Sequence, residues 1–257
     1  MKKTEQLHDL CRLRSTLEAF AVKYWRRSAG CSDTGRKLKS ILDRLRKLAS
    51  QGDYPAFHQV DNELHRTLVS SVDQPVLLKC WELVAADLDA WILQVNEKYW
   101  PNLMALYREH VLLFEAWESD DNWVAEQATH QHLEAGWYRI AAMRGKYTPE
   151  IDPVERAIAF ISTHFASDIE IDWIARHVSF LSVSHLNRLF KERTGVAPHH
   201  YLKQIRLDRA AQTLRSSPSS VADIARRAGY RNTSHFVRDF RKKFKTTPLV
   251  YRREQDV

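Results

Sequence analysis

The stretch Ile224-Ala-Arg-Arg-Ala-Gly-Tyr-Arg-Asn-Thr-Ser-His-Phe-Val-Arg-Asp-Phe240 reads as a short helix, a turn and a second helix. Fifty residues earlier stands Ile174-Ala-Arg-His-Val-Ser-Phe-Leu-Ser-Val-Ser-His-Leu-Asn-Arg-Leu-Phe190. Aligned without a gap, residues 170–201 and 220–251 are identical at nine of 32 positions, so the segment is a tandem repeat. Ala175 and Ala225 are small where two helices must cross closely. Leu186 and Phe190, like Phe236 and Phe240, stand four apart and share a core-facing stripe. Ser184, Asn187, Arg188 and Lys191 then face outward in one unit, and Ser234, Val237, Arg238 and Arg241 in the other. Two helix-turn-helix units are expected, near 170–193 and 220–243, each followed by a segment opened by Pro198 or Pro248.

The charge follows the repeat. The 257-residue chain is +7 overall, yet residues 1–150 carry 20 basic and 21 acidic groups. Between Arg188 and Arg253 there are 17 basic and four acidic residues. Seven of the eight tryptophans precede residue 150. The composition changes across Gly145-Lys-Tyr-Thr-Pro-Glu-Ile-Asp-Pro153, whose breakers suit a linker near 146–152. Two domains are expected, residues 1–147 and 148–257. Seven Gly and eight Pro are too few for the turns of a β-sandwich, so both domains should be all-α. Cys11, Cys31 and Cys80 have no metal-type spacing and suit a reducing cytoplasm. The opening MKKTEQLHDL lacks the apolar core of a signal peptide, and no apolar run nears membrane-spanning length, so no membrane association is expected.

The basic half resembles the AraC/XylS family of transcription regulators. The likeness rests on the residues from Ile224 to Phe240, on Pro248, Tyr251 and Arg252, and on Arg206, Leu207, Ala210 and Leu214, which match the helix joining that family's two units. It implies double-stranded DNA as partner, with RNA polymerase as a further candidate. Recognition helices at about 183–192 and 233–243 would enter successive major grooves, roughly 34 Å apart. Arg188 and Arg238 can each present a fork to guanine. Ser184, Asn187, Thr233 and Ser234 can read base edges or bind phosphate. Lys191, Arg231, Arg241, Lys242 and Lys243 suit phosphate. Two departures from the family pattern stand out. Lys245 replaces the usual Gly at a helix end, and the first turn, Val178-Ser-Phe-Leu181, reads as one residue longer.

The first half shows helical periodicity in Leu10-Leu13-Leu17-Phe20-Ala21-Tyr24, in Leu38-Ile41-Leu42-Leu45-Leu48 and in Phe57-Val60-Leu64-Leu68. Asp53 and Asp73, each two residues before a Pro, read as helix N-caps; Pro101 opens another helix, and Asp120-Asp121 breaks the pattern. An antiparallel bundle of about six helices is expected. Asp61 and His65 lie four apart on one helix face, a pair that taken alone reads as a surface contact. With His110, His132, Leu17-Glu18 and Asp121 it resembles the FCD ligand-binding domain of GntR-family regulators, across about 8–145. That resemblance implies a divalent ion held by Asp61, His65, His110 and His132, a small carboxylate ligand on its open positions, and a homodimer. Imidazoles with one carboxylate suit Zn, Ni, Mn or Fe. Arg14 is a candidate for the ligand's other end, Trp81, Trp91, Tyr107 and Trp137 for the pocket wall, and His130, two from His132, points elsewhere.

The expected protein is a DNA-binding transcription regulator, not an enzyme, that senses a small organic acid through a bound metal. Alternatives are a regulator whose signal is the metal itself, a bundle that only dimerises, and a metal-dependent hydrolase fused to a DNA-binding domain. No His-Glu-x-x-His and no general base beside the ligands supports the last, since Glu63 falls on another face.

Overall fold

The computed structural model describes residues 2–25, 31–100, 102–119, 121–143 and 152–253. Most of the expected linker, together with Pro101 and Asp120, lies outside them. Every regular element among the described residues is helical. The chain divides into two compact units, Met1–Ile151 and Asp152–Val257.

In the first unit α1 (Lys2–Trp25) packs on α6 (Asn122–Met143), α4 (Pro75–Tyr99) and α3 (Tyr54–Ser70). The second helix, α2 (Cys31–Gln51), packs on α3 and α5 (Leu103–Trp117), and α5 packs on α6. Short turns join α2 to α3 and α3 to α4. The apolar stripes expected for α2 and α3 are buried except for the half-buried Leu48, with Leu38, Leu45, Leu64 and Leu68 fully so. Each such leucine stabilises the fold by about 1.5–3 kcal/mol. Trp117 is enclosed and donates from Nε1 to Thr129 Oγ1 at 2.9 Å, a bond from α5 to α6.

Helix starts follow local chemistry. Asp53 caps α3 by accepting from Ala56 N at 3.0 Å, ahead of Pro55. Asp121 accepts from Trp123 N at 2.9 Å and so begins α6. Asp73 is a correction, because Gln74 occupies the N-cap of α4 and makes no side-chain cap. Asp73 instead takes φ +50°, a left-handed conformation that a short polar side chain tolerates.

The second unit opens with α7 (Pro153–His164), capped by Asp152 through Val154 N and Glu155 N at 2.8 and 3.0 Å. A three-residue helix, α8 (Ile171–Trp173), continues as a π-helical turn, Ile174–Val178, and leads to α9 (Val183–Thr194). The long α10 (Pro198–Ser216) joins this pair to α11 (Val221–Arg227) and α12 (Thr233–Phe244), and α13 (Pro248–Arg253) follows. Phe236 and Phe240 are fully buried with Leu207, Ala210 and Leu214 of α10 and Ile224 and Ala225 of α11. Leu186 and Phe190 are fully buried in the first pair.

The first turn also differs from its expected form. In the second pair Gly229 is the left-handed residue (φ +82°), and Tyr230 N donates to Ala225 O. In the first, Phe180 takes that conformation (φ +53°), and Leu181 N donates to Ala175 O. The additional residue is therefore absorbed inside the helix, where Ser179 N reaches back five residues to Ile174 O. The stretch from the left-handed residue to the N-cap, Ser182 against Asn232, is one residue shorter. Both pairs hence have equal length, and Ser179 Oγ donates to Pro153 O at 2.8 Å.

Gly229 has a second reason to lack a side chain. A Cβ there would lie 2.8 Å from Phe165 O and 2.9 Å from Ala166 O, whereas one at Gly195 (φ +78°) would meet nothing. Gly229→Ala should lower the unfolding free energy of the C-terminal unit by about 2–5 kcal/mol, combining left-handed strain with overpacking. Gly195→Ala should cost only the strain, about 1–2 kcal/mol. Urea titration of both variants checks the difference.

His164 is buried near the end of α7 with Nδ1 unpartnered, and burial pushes its pKa down from 6.5 to about 3. It is neutral when folded, while the unfolded chain takes up a proton below pH 6.5. Its contribution to stability is complete above that pH and is lost as pH falls toward about 3, by up to about 1.4 kcal/mol per pH unit. His164→Leu should flatten this slope just below pH 6.5, before carboxylates titrate, in unfolding measured against pH.

Candidate functional site

Helix α3 presents Asp61 and His65 one turn apart on its inward face, α5 brings His110, and α6 brings His132. One donor atom from each lies within 4.8 Å of the others. Asp61, His65 and His110 are buried and His132 is half-buried. Asp61 Oδ1 contacts His110 Nε2 and lies 3.4 Å from His65 Nε2. The His132 ring is 5.5 Å from that of His65 and 4.4 Å from that of His110.

Two of the three imidazoles have a fixed orientation. His110 Nδ1 donates to Leu106 O, one turn back, at 2.8 Å. His65 Nδ1 lies 2.6 Å from Glu18 Oε2, across the bundle on α1. Glu18 Oε1 accepts from Arg14 Nε at 2.8 Å and from Trp81 Nε1 at 2.7 Å. All four of these side chains are buried.

Electrostatics follow from this geometry. Burial would raise the pKa of Asp61, but His110 and His65 beside it hold it well below the usual carboxylate range. Burial opposes charge on Glu18 too, yet His65, Arg14 and Trp81 bring it down to about 2. Burial disfavours the cation of His65, while Glu18 and Asp61 draw its pKa up to about 9. His132 is held well below its ordinary value by burial and by the neighbouring His110 and His65, which leaves its lone pair free.

A cavity of about 50 Å³ adjoins the four donors. Arg14, Asn96, Trp100 and Glu109 line it, as do Trp91 and Gly136. Glu109 accepts from Trp100 Nε1 at 3.0 Å, and Arg139 stacks on the Trp100 ring at 4.0 Å. Gly136 admits the close approach, since a Cβ there would stand 3.3 Å from Val95 Cγ1.

Of the aromatic residues expected on the wall, Trp91 is there; Trp81 serves Glu18, Trp137 stacks on His8, and Tyr107 is not among the lining residues. Arg14 lines the cavity, but its Nε is engaged by Glu18, and its Nη2 is buried without a hydrogen-bond partner. His130 lies apart and pairs with Ser15 Oγ at 2.8 Å. Sequence reasoning missed the Glu109, Trp100 and Arg139 group, and left Glu18 without a role. The i, i+4 spacing of Arg14 and Glu18 was the one signal of their pairing.

In the second unit, Thr233, Ser234, Val237, Arg238, Arg241, Lys242 and Thr247 line one shallow groove along the outer face of α12. Asn232 caps this helix through Ser234 N and His235 N at 2.8 and 3.2 Å. Lys245 takes the left-handed conformation at its end (φ +64°), so the Lys does what Gly usually does there. Arg241 and Lys242 are exposed. On α9, Ser184 and Lys191 are exposed, Asn187 is half-buried, and Arg188 is paired with Glu192 at 2.9 Å. Arg231 is paired with Asp168, and Lys243 with Asp208 at 2.7 Å.

The second unit thus holds two helix-turn-helix pairs, with basic side chains on the outer face of α12. Residues 175–254 match a helix-turn-helix domain family and residues 9–135 match the FCD domain family. The two matches fall in different units, the first in Asp152–Val257 and the second in Met1–Ile151. The HTH-type transcriptional activator RhaS of Escherichia coli O139:H28 is 39% identical over 99 residues, which are 38% of this chain and 35% of that one. The chain therefore spans about a third of the length of the curated relatives it matches. Among solved structures, the C-terminal domain of AraT, a response regulator from Geobacillus stearothermophilus, is 31% identical with a TM-score of 0.39, over 42% of this chain and 86% of that one. A regulator with an AraC-type DNA-binding domain from Chromobacterium violaceum is 28% identical with a TM-score of 0.38, over 40% and 91%. No helix of the first or second unit is long and apolar enough to cross a membrane among the described residues.

Proposed function

We propose that the chain is a transcription regulator whose FCD domain binds a divalent metal ion and, through it, a small carboxylate, and whose second domain binds specific double-stranded DNA as a homodimer. The observation that carries the sensor reading is the meeting of Asp61, His65, His110 and His132 from three helices. Donors about 2.1 Å from one ion can stand at most about 4.2 Å apart. The widest pair, at up to 4.8 Å, needs to close by only about half an ångström. The donor set fits as well, being three imidazoles and one carboxylate. Bound there, the ion would supply open positions for a ligand carboxylate. Arg14 Nη2, unpartnered at the same cavity, suits the ligand's negative charge.

The cavity favours a second reading in which the metal alone is the signal. Its 50 Å³ is well below the roughly 300–1,000 Å³ of ordinary ligand pockets, and the Glu109 carboxylate on its wall opposes a second negative charge. Under the first reading only a ligand of very few atoms fits.

On the DNA side, Arg238 reads a base while Arg241 and Lys242 hold phosphate, and Arg188, Asn187, Ser184 and Lys191 act in the first unit, with Thr233, Ser234 and Arg231 at the start of α12. Arg188 must leave Glu192 and Arg231 must leave Asp168 to do so; exposed pairs of this kind hold by only about 0–1 kcal/mol.

His110→Ala and His132→Ala should each abolish retention of metal while leaving DNA binding in place. Metal analysis of protein purified without chelator, alongside a gel-shift assay, decides this; stoichiometric metal in both variants would refute the site. Arg238→Ala should lower specific DNA affinity by roughly 1–3 kcal/mol, read as a weakened footprint at one base pair. Acid-dependent DNA binding that needs metal supports the first reading, and metal-dependent binding unaffected by any short acid supports the second.

A further inference from the structure

Glu18 is on α1, which supplies none of the four donors, and is fully buried. Its three partners differ in what they can do. Arg14 Nε and Trp81 Nε1 can only donate, and both point at Oε1, at 2.8 and 2.7 Å. His65 Nδ1, 2.6 Å from Oε2, could donate or accept. Facing a carboxylate, it must donate, and a neutral ring then keeps its lone pair on Nε2, the atom 3.4 Å from Asp61 Oδ1. A main-chain carbonyl, Leu106 O, sets the same tautomer for His110, and no side-chain change can remove that partner. For His65 the tautomer is encoded in one side chain.

We infer that Glu18 is a positioning residue of the metal site: by accepting from Arg14 and Trp81 on one oxygen and from His65 on the other, it holds the His65 ring with Nδ1 protonated and Nε2 open to the ion. The inference rests on the reading that Asp61, His65, His110 and His132 hold a divalent ion. Arg14 and Trp81 orient the carboxylate, so the arrangement ties α1 and α4 to the ligand pair on α3. An imidazole fixed by a carboxylate is also a more basic ligand.

The same geometry dictates what Glu18→Gln does. The amide has one oxygen and one NH2 group. Two obligate donors, one of them charged, face the Oε1 position, so the amide oxygen settles there. The NH2 group then faces His65 Nδ1, which must accept, and the ring proton moves to Nε2, where the ion would bind. The amide is nearly isosteric with the carboxylate, so the bundle itself has little reason to unfold.

The test uses the full chain with zinc as probe. Chelator competition gives the affinity of wild type and E18Q. Side-chain 15N spectra of the zinc-free proteins, recorded above the pH at which the His65 ring becomes neutral, give the position of its proton. The expected result is a 10–100-fold weaker zinc affinity in E18Q, with the proton on Nδ1 in wild type and on Nε2 in the variant. Equal affinity, or a proton that stays on Nδ1 in E18Q, overturns the role of Glu18. Wild type that retains no zinc overturns the metal reading itself, a separate outcome. Should E18Q fail to fold, the wild-type spectrum still decides, because a neutral His65 with its proton on Nε2 contradicts the inference.

Discussion

A carboxylate withdrawn from water must have its oxygens met by donors, and the N-terminal bundle is arranged around two that are, Glu18 and Asp61. Glu18 accepts from three side chains on three helices, and Asp61 meets imidazoles from its own helix and from α5. The registers of α1, α3, α4 and α5 are thereby linked, since sliding any of them by a turn would strand a buried charge. Breaking such a buried pair costs about 3–5 kcal/mol, far more than a surface pair. Apolar packing makes the bundle compact. These polar contacts add a requirement that packing lacks, one alignment out of several that would bury similar area.

In the C-terminal unit the comparable device is α7 together with the residues just after it, which between them touch both helix-turn-helix pairs. At its start Asp152 and Glu155 bind Arg193 at the end of α9, at 3.0 and 2.8 Å. Past its end, Phe165 O and Ser167 O accept from Arg206 of α10, Asp168 pairs with Arg231, and the main chain leaves room only for Gly229. The spacing of the two recognition helices thus depends on α7 as well as on the α10 connection. Asp152, the cap of α7, is also the first residue of this unit.

Much of this was legible in the residues. Apolar spacing located the helices, Asp53 and Pro55 marked the start of α3, and the repeat placed α9 and α12 within two residues of their observed ends. The four donors were found by spacing and resemblance, and they converge. What escaped was whatever depends on three elements meeting. Nothing near Glu18 in the sequence says that Trp81 and His65 will reach it. Trp100, Glu109 and Arg139 come from a loop and two helices and meet only in three dimensions. Asp73 misled because Asp is favoured both as an N-cap and in left-handed turns, and only the backbone decides between them.

The π-helical turn of the first pair carries a consequence for reading the repeat. The two units superpose in number without a gap, so Ser179 falls in the same alignment column as Gly229. Their conformations do not match in that column: the backbone state of Gly229 belongs to Phe180, and Ser179 is the right-handed C-cap of the π turn, with its hydroxyl bonded to Pro153 O. Homology between the halves is therefore exact in count yet shifted by one in geometry from the π turn to Phe180, and restored at the caps Ser182 and Asn232. Equal length therefore does not make every pair of aligned residues equivalent in backbone conformation.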